Sequence, residues 1–280
     1  MRRLEVVPER DAGAGAHAHT GPSQSAGSGT EKAYLKEIFL SFQGEGMLIG
    51  ERQIFIRLAG CNIRCPWCDT PDALVAKETR TARIEEAPGA GRFREVENPV
   101  GVPVILAEVR RLVREHGPVR WVSLTGGEPT IWSRFLAELC PALQREGLKV
   151  FLETNSHYPE ALRLLGAAVD FVSADVKIPF ADYEVRKETY EEFLALSPRG
   201  ATQVKVVVSA EHPDEDVVEA ARLVARVDRS IPVIIQPVTP VAGVGAPPAP
   251  ARLLELQRRC LEHVERVRVI PQAHKIVGVL

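Results

Sequence analysis

The sequence lacks any apolar run approaching 18 residues, so nothing in it reads as a membrane-spanning helix. It also lacks a charge of one sign. Its 35 Lys and Arg stand against 37 Asp and Glu, for a formal net charge of −2. A nearly neutral chain gives no global reason to expect nucleic acid or an anionic membrane as a partner. Arg2 and Arg3 are followed by no apolar segment, which argues against a secretory signal. No G-x-G-x-x-G follows a strand-like run, which weakens a dinucleotide-binding reading. Cysteine is scarce, at five in 280 residues, and histidine is absent between His19 and His116. Five cysteines with three of them clustered fit a reducing, cytoplasmic setting better than a disulfide framework.

What is present is concentrated at one place. Cys61, Cys65 and Cys68 follow a C-x3-C-x2-C spacing in the stretch Ala59-Gly60-Cys61-Asn62-Ile63-Arg64-Cys65-Pro66-Trp67-Cys68-Asp69-Thr70. Thiolates brought together by one loop can hold three corners of a cubane iron–sulfur cluster. A structural zinc site wants four protein ligands, and no nearby cysteine or histidine supplies a fourth. Three ligands leave one iron open to hold a substrate or a cofactor. The competing reading is a reduced thiol cluster that binds zinc or nothing. Cys140 and Cys260 fall in helical patterns and read as small core residues.

A hydrophobic content of 45% is enough for a sizeable core, and the length admits one large α/β domain or two small ones. Residues 1–30 hold almost no large apolar side chain, a composition that predicts a disordered tail ahead of a domain over 31–280. His17 and His19 within it read as solvated. Tyr34 to Leu40 and Gln53 to Leu58 alternate as strands. They flank a loop, Ser41-Phe42-Gln43-Gly44-Glu45-Gly46, whose glycines allow backbone to approach a ligand. Residues 71–100 show little periodicity and read as an insertion or flap. Val102 to His116 is helical and stops before Gly117-Pro118.

Strand and helix patterns then alternate. Strands are expected at Val119 to Leu124, Lys149 to Thr154, Asp170 to Val176, Gln203 to Val208, Val233 to Gln236 and Val267 to Ile270. Amphipathic helices lie between them, and Val241 to Pro250 reads as a loop. This order means parallel strands joined by right-handed crossovers. Without two distinct halves, it favours an α/β partial TIM-like barrel over an open doubly wound sheet. Chemistry in such a barrel belongs at the C-terminal strand ends. There stand Thr125-Gly126-Gly127-Glu128-Pro129, Glu153-Thr154-Asn155, Ser173-Ala174-Asp175-Val176-Lys177 and Gln236-Pro237-Val238-Thr239. The Gly126-Gly127 pair leaves room for a ligand against backbone, and Glu128 can accept from an ammonium group. Arg57 sits inside an apolar strand, opposite the face of Ile54, Ile56 and Leu58. It needs either a structural salt bridge or a substrate carboxylate.

With these residues in view, the chain resembles the radical S-adenosylmethionine (SAM) enzymes, through C-x3-C-aromatic-x-C and the Gly-Gly-Glu-Pro turn. The loop Phe42-Gln43-Gly44-Glu45-Gly46, the run Phe55 to Asn62, the run Trp67 to Thr70, Gln236-Pro237-Val238 and the tail Pro271-Gln272-Ala273-His274-Lys275 are similar to the 7-carboxy-7-deazaguanine synthases. The resemblance covers about Tyr34 to Leu280. It implies conversion of 6-carboxy-5,6,7,8-tetrahydropterin to 7-carboxy-7-deazaguanine with loss of ammonia, on the route to queuosine and related deazapurines.

The resemblance also implies a [4Fe-4S] cluster on Cys61, Cys65 and Cys68, with SAM as cofactor and Mg2+ on the Thr70 hydroxyl. Thr70 by itself is an ordinary turn threonine. SAM contacts would come from Trp67, Cys68, Asp69, Gly127 and Glu128, then from Ser173, Asp175 and Lys177, and from Gln236, Pro237, Val238 and Thr239. Substrate contacts would come from Phe42, Gln43, Gly44, Glu45, Arg57 and Thr125, with His274 and the carboxylate of Leu280 closing over the pterin. His274 fits a structural role equally well. A flavodoxin or ferredoxin as electron donor and a homodimer would complete the system. Two rivals stand beside this reading: a radical SAM activase of a glycyl-radical enzyme, and a non-enzymatic metal-binding module.

Overall fold

A computed structural model of the chain describes residues 31–183, 185–240 and 245–279. The tail expected over residues 1–30 lies outside the described residues, as do 241–244 of the proline-rich loop and the terminal Leu280.

A short strand β1 (Lys32–Ala33) leads into β2 (Leu35–Phe42), and the chain returns antiparallel as β3 (Arg52–Leu58). After the cysteine loop come β4 (Thr81–Glu85), β5 (Phe93–Glu97) and β6 (Val100–Gly101). Helix and strand then alternate through α1 (Val102–His116), β7 (Trp121–Gly126), α2 (Ser133–Arg145), β8 (Lys149–Thr154), α3 (Pro159–Leu165) and β9 (Phe171–Asp175). The series ends with α4 (Lys187–Leu196), β10 (Thr202–Val208), α5 (Asp214–Val227), β11 (Val233–Pro237), α6 (Pro250–Leu261), β12 (Val267–Val269) and α7 (Ala273–Val277). Among the described residues no helix is long and apolar enough to cross a membrane.

Ten strands make one sheet in the order β12-β11-β10-β9-β8-β7-β3-β2-β4-β5, in which β3 and β7 through β12 run parallel to one another. The sheet does not close on itself, as a partial TIM-like barrel requires. Strand alternation divides it into two faces. Ile54, Ile56, Leu58, Val122, Leu124, Val150, Leu152, Val172, Ala174, Val204 and Val206 are fully buried in the core that the helices cover. Helix α1 supplies Ile105, Val109 and Leu112 at helical spacing, each burial contributing about 1.5–3 kcal/mol.

The opposite face turns inward, and its composition changes along the strands. At one end Trp121, Phe151 and Phe171 pack together, the two phenyl rings stacked 5.2 Å apart, and Phe39 stacks on Phe55 at 5.0 Å. These aromatics close one end of the interior. Toward the C-terminal ends the inward residues become polar and stand in register. Arg57 lies opposite Thr125, Glu153 opposite Ser173, Ser173 opposite Gln203, and Asp175 opposite Lys205.

Residues 71–100 are not a flap outside the barrel. Strands β4 and β5 pair as an antiparallel hairpin, and β4 joins the sheet parallel to β2. Asn98 anchors this stretch: its side chain accepts from Leu35 N at 3.0 Å and donates to Leu35 O at 2.7 Å and Thr79 O at 2.9 Å. Asn98→Ala would orphan these backbone groups beside β2. We expect a loss of about 2–3 kcal/mol in unfolding free energy, read by urea denaturation, from roughly 1 kcal/mol per hydrogen bond.

Candidate active site

The cysteine loop leaves β3 under tight backbone control. Gly60 N donates to Ala73 O at 2.7 Å, Cys61 N to Leu74 O at 3.1 Å, and Trp132 Nε1 to Ala59 O at 2.8 Å. On the other side the turn after β7 is pressed against it: Gly127 N donates to Leu58 O at 3.0 Å and Glu128 N to Gly60 O at 2.7 Å. A Cβ on Gly127 would lie 2.1 Å from Gly60 O. The room that the Gly126-Gly127 pair provides is therefore taken by the backbone that carries Cys61, not by a ligand alone.

The carboxylate of Glu128 does not face the cleft, which corrects the expectation that it accepts from an ammonium group. It is fully buried and accepts from Thr130 N, Thr130 Oγ1, Thr154 Oγ1 and Asn155 N. Burial pushes its carboxyl up despite these donors. Its role is to pin the ends of β7 and β8 together. Ser173 is corrected as well. It is 2% exposed, accepts from Gln203 Nε2 at 2.9 Å, and lies one layer beneath the cleft wall.

A second set of bonds steadies the loop from β8. Asn155 Nδ2 donates to Asn62 Oδ1 at 2.7 Å, and Asn62 Nδ2 reaches His157 Nδ1 at 3.2 Å. His157 Nε2 lies 3.0 Å from Tyr190 OH. Burial lowers His157 to about 4, so at neutral pH the ring is uncharged, with one nitrogen accepting and the other donating.

The three cysteines open onto a cleft of about 770 Å³ at the polar end of the barrel interior. Its wall includes Trp67, Asp69 and Gly127, with Asp175 and Lys177 at the end of β9 and Gln236, Val238 and Thr239 at the end of β11. Pro237 is not part of that wall. The wall also carries the loop Phe42-Gln43-Gly44-Glu45 together with Arg57, Thr125 and His274. Helix α7 is fastened to that loop: Ala273 N donates to Gly44 O at 2.9 Å, and a Cβ on Gly44 would lie 2.1 Å from His274 Nδ1.

Arg57 makes the structural salt bridge and also reaches the cleft. Its Nε donates to Glu37 Oε1 at 3.0 Å, while Nη1 turns to Thr70 Oγ1 at 3.5 Å on the cleft side. Thr70 Oγ1 lies 3.2 Å from Asp69 Oδ1. One ligand atom each from Glu45, Asp69 and His274 fall within 4.8 Å of one another. Burial alone would raise Glu45, but the Lys205 ammonium beside it holds the carboxyl well below the usual carboxylate range. Asp69 is likewise lowered, with Lys275, Arg57 and Lys205 outweighing its burial and the Glu45 charge. Burial lowers His274.

Four cleft residues carry no ligand or metal role in the sequence reading, although Glu153 stands among the polar strand ends and Gln272 and Lys275 in the family-like tail. Glu153 accepts from Gln43 Nε2 at 2.8 Å and is raised by burial; Gln272 donates to Glu45 Oε1 at 2.7 Å; Lys275 lies 3.4 Å from Asp69. The fourth, Lys205, is a charge within the apolar run Gln203 to Val208. The same signal had marked Arg57.

The residues present fit an iron–sulfur cluster with a polar organic cofactor beside it. Three thiols from one fixed loop reach a cleft, and two buried polar atoms in the cleft-lining side chains Trp67 (Nε1) and Gln236 (Oε1) have no partner among the described residues. Burial raises Cys61 to about 11 and also raises Cys68, so these groups become thiolates when a metal takes them. Cys140 and Cys260 are fully buried in the core. We expect Cys61→Ala, Cys65→Ala and Cys68→Ala each to abolish cluster assembly, and Cys140→Ala and Cys260→Ala to leave it intact. Iron and sulfide analysis of anaerobically reconstituted variants checks this. Full iron content in any of the first three sinks the assignment.

Comparison with known proteins follows the same outline. Residues 55–230 match the radical SAM superfamily. The 7-carboxy-7-deazaguanine synthase of Geobacter sulfurreducens is 40% identical over 250 residues, covering 89% of this chain and 98% of its own. That of Thermococcus kodakarensis is 34% identical, covering 89% and 100%. The crystal structure of QueE from Escherichia coli shares the fold, with a TM-score of 0.59 at 23% identity over 87% of this chain and 95% of its own. The chain is matched by these relatives along nearly their whole length, and it belongs to the 7-carboxy-7-deazaguanine synthase family of the radical SAM superfamily.

Proposed function

We propose that the chain converts 6-carboxy-5,6,7,8-tetrahydropterin to 7-carboxy-7-deazaguanine and ammonia. The observation that carries this is the meeting in one cleft of the three-cysteine loop and the Phe42–Glu45 loop with Arg57 and His274. Cys61, Cys65 and Cys68 would hold a [4Fe-4S] cluster, and SAM would lie against Trp67, Asp69, Gly127, Lys177 and the Gln236–Thr239 turn. When bound, these groups supply the electron and the hydrogen-abstracting radical.

The chain's own residues bind and orient the pterin. Arg57 keeps one edge on Glu37 and offers the other to the substrate carboxylate, while Gln43, Glu45, Thr125 and His274 supply donors and acceptors around the ring. The aromatic layer beneath excludes water from one end. Thr70 and Asp69 place oxygen ligands side by side for Mg2+, a hard cation that suits them and a substrate carboxylate. The same reading makes residues 31–280 one radical SAM core and assigns a flavodoxin or ferredoxin as electron donor, a homodimer as the assembly and the cytoplasm as the setting.

Anaerobic turnover of the carboxypterin with SAM and a reductant tests the reading. Formation of 7-carboxy-7-deazaguanine supports it. A cluster-loaded protein that cleaves SAM only with a partner protein present, and leaves the pterin untouched, favours the activase instead.

Two variants divide the roles further. Thr70→Ala removes one hydroxyl and no thiolate, so we expect weaker magnesium dependence and slower turnover with SAM affinity retained. Wild-type rates across a magnesium titration would make Thr70 a turn residue only. Arg57→Lys replaces a planar two-point donor by a point charge, and we expect pterin binding to weaken about tenfold to hundredfold while SAM binding holds. If the Glu37 pair is the whole role of Arg57, the melting temperature falls and pterin affinity in the folded, cluster-loaded protein does not change.

A further inference from the structure

The most heavily invested buried charge outside the expected site is Lys205, in the middle of β10. Its side chain is only 8% exposed, and burial would strip the charge from an isolated ammonium. Acidic groups offset this from three directions. Glu45 pairs with it from the loop after β2, Asp175 Oδ1 lies 3.3 Å away on β9, and Glu153 acts from β8. Lys205 consequently stays protonated far above any physiological pH. Asp175 in turn pairs with Lys177 Nζ at 2.7 Å, so the wall carries an alternating series: Glu45, Lys205, Asp175, Lys177.

On the proposed function, the two ends of this series serve different ligands. Glu45 is on the loop that faces the pterin, and Gln272 donates to its other oxygen. Asp175 and Lys177 are on the cofactor side, next to the cysteine loop. Strand β10 holds the pterin loop at a second point two residues earlier, where Gln203 Oε1 accepts from Met47 N at 2.6 Å. Among the neighbouring cations, Lys177 pairs with Asp175, and Lys275 joins helix α7 to Asp69 beside the cysteines.

We propose that Lys205 is a positioning residue that fixes the pterin-facing Glu45 and the cofactor-facing Asp175 with one ammonium, so that both ligands depend on it. This rests on the proposed function for the identity of the pterin, but not for the cofactor half. Taking the ammonium away leaves Glu45 with Gln272 and Asp175 with Lys177, each short of one partner, and removing one partner of a buried pair is costly.

The test uses the cluster-loaded full chain with Lys205→Met, Glu45→Gln and the double variant, and reads SAM affinity by equilibrium dialysis and pterin KM and kcat by turnover. Lys205→Met should raise the pterin KM about tenfold or more and weaken SAM by about threefold or more, with iron content retained. Glu45→Gln should raise the pterin KM and leave SAM affinity within about twofold, because Lys205 still holds Asp175. The double variant should raise the pterin KM by clearly less than the product of the two single effects, since both changes break the Lys205–Glu45 interaction. Unchanged affinities in Lys205→Met, or additive effects in the double variant, overturn the proposal. A merely structural lysine would lower the melting temperature and leave both affinities within about twofold, which also overturns it. Where Lys205→Met fails to take up iron, Glu45→Gln decides alone: loss of SAM affinity in parallel with pterin affinity counts against the bridge. If the wild-type protein makes no 7-carboxy-7-deazaguanine, the substrate reading falls, and SAM affinity in Lys205→Met still judges Lys205.

Discussion

The contact on which the rest depends is between two stretches of backbone. Gly60 O accepts from Glu128 N while Gly127 presses against the same carbonyl, with no space for a side chain between them. This joins the end of β3 to the end of β7 and sets the starting point of the cysteine loop. Glu128 then ties β7 to β8 by its buried carboxylate. Asn155 and His157 carry the constraint back to Asn62 inside the loop. Three thiols on a loop would otherwise lose much conformational entropy on closing around a metal. Here most of that ordering is built into the strands beneath them.

A second constraint is the strand register. Because side chains alternate, each parallel strand sends a hydrophobic set to the helices and a second set inward. The inward set is free to vary along the strand, and it runs from Trp121, Phe151 and Phe171 at one end to Arg57, Glu153, Asp175 and Lys205 at the other. The charged residues are tolerable there because they neutralise one another in pairs. They are useful because they border a cleft.

Much of this was legible in the sequence. Apolar runs alternating with amphipathic helices gave the barrel strands within a few residues, and the cysteine spacing marked the site without help from the fold. Arg57 stood out as a charge in an apolar strand. Lys205 carried the same mark but lies in a strand whose flanking loops offered no motif, so attention passed over it. Glu128 was misread because a carboxylate after two glycines looks the same whether it faces a ligand or caps the next turn. Only its neighbours Thr130, Thr154 and Asn155 decide which. The 71–100 hairpin was hidden because β5 presents Arg94, Glu95 and Glu97 on a half-exposed edge, where burial imposes no clear period. The roles proposed for His274 and Thr70 rest on the family resemblance, since neither has a local pattern.

An unclosed sheet has two rims, and each is an invitation for another chain to pair with it. This protein leaves little there to use. One rim is β5, Phe93-Arg94-Glu95-Val96-Glu97, whose charges punctuate any would-be partner strand; the other is β12, only three residues long with Arg268 at its centre. Charged and very short rims are a common protection against strand-by-strand aggregation. The same features bear on self-association of the native fold. Two copies meeting rim to rim would gain few hydrogen bonds, so helix faces or loops are the better ground for any symmetric pairing.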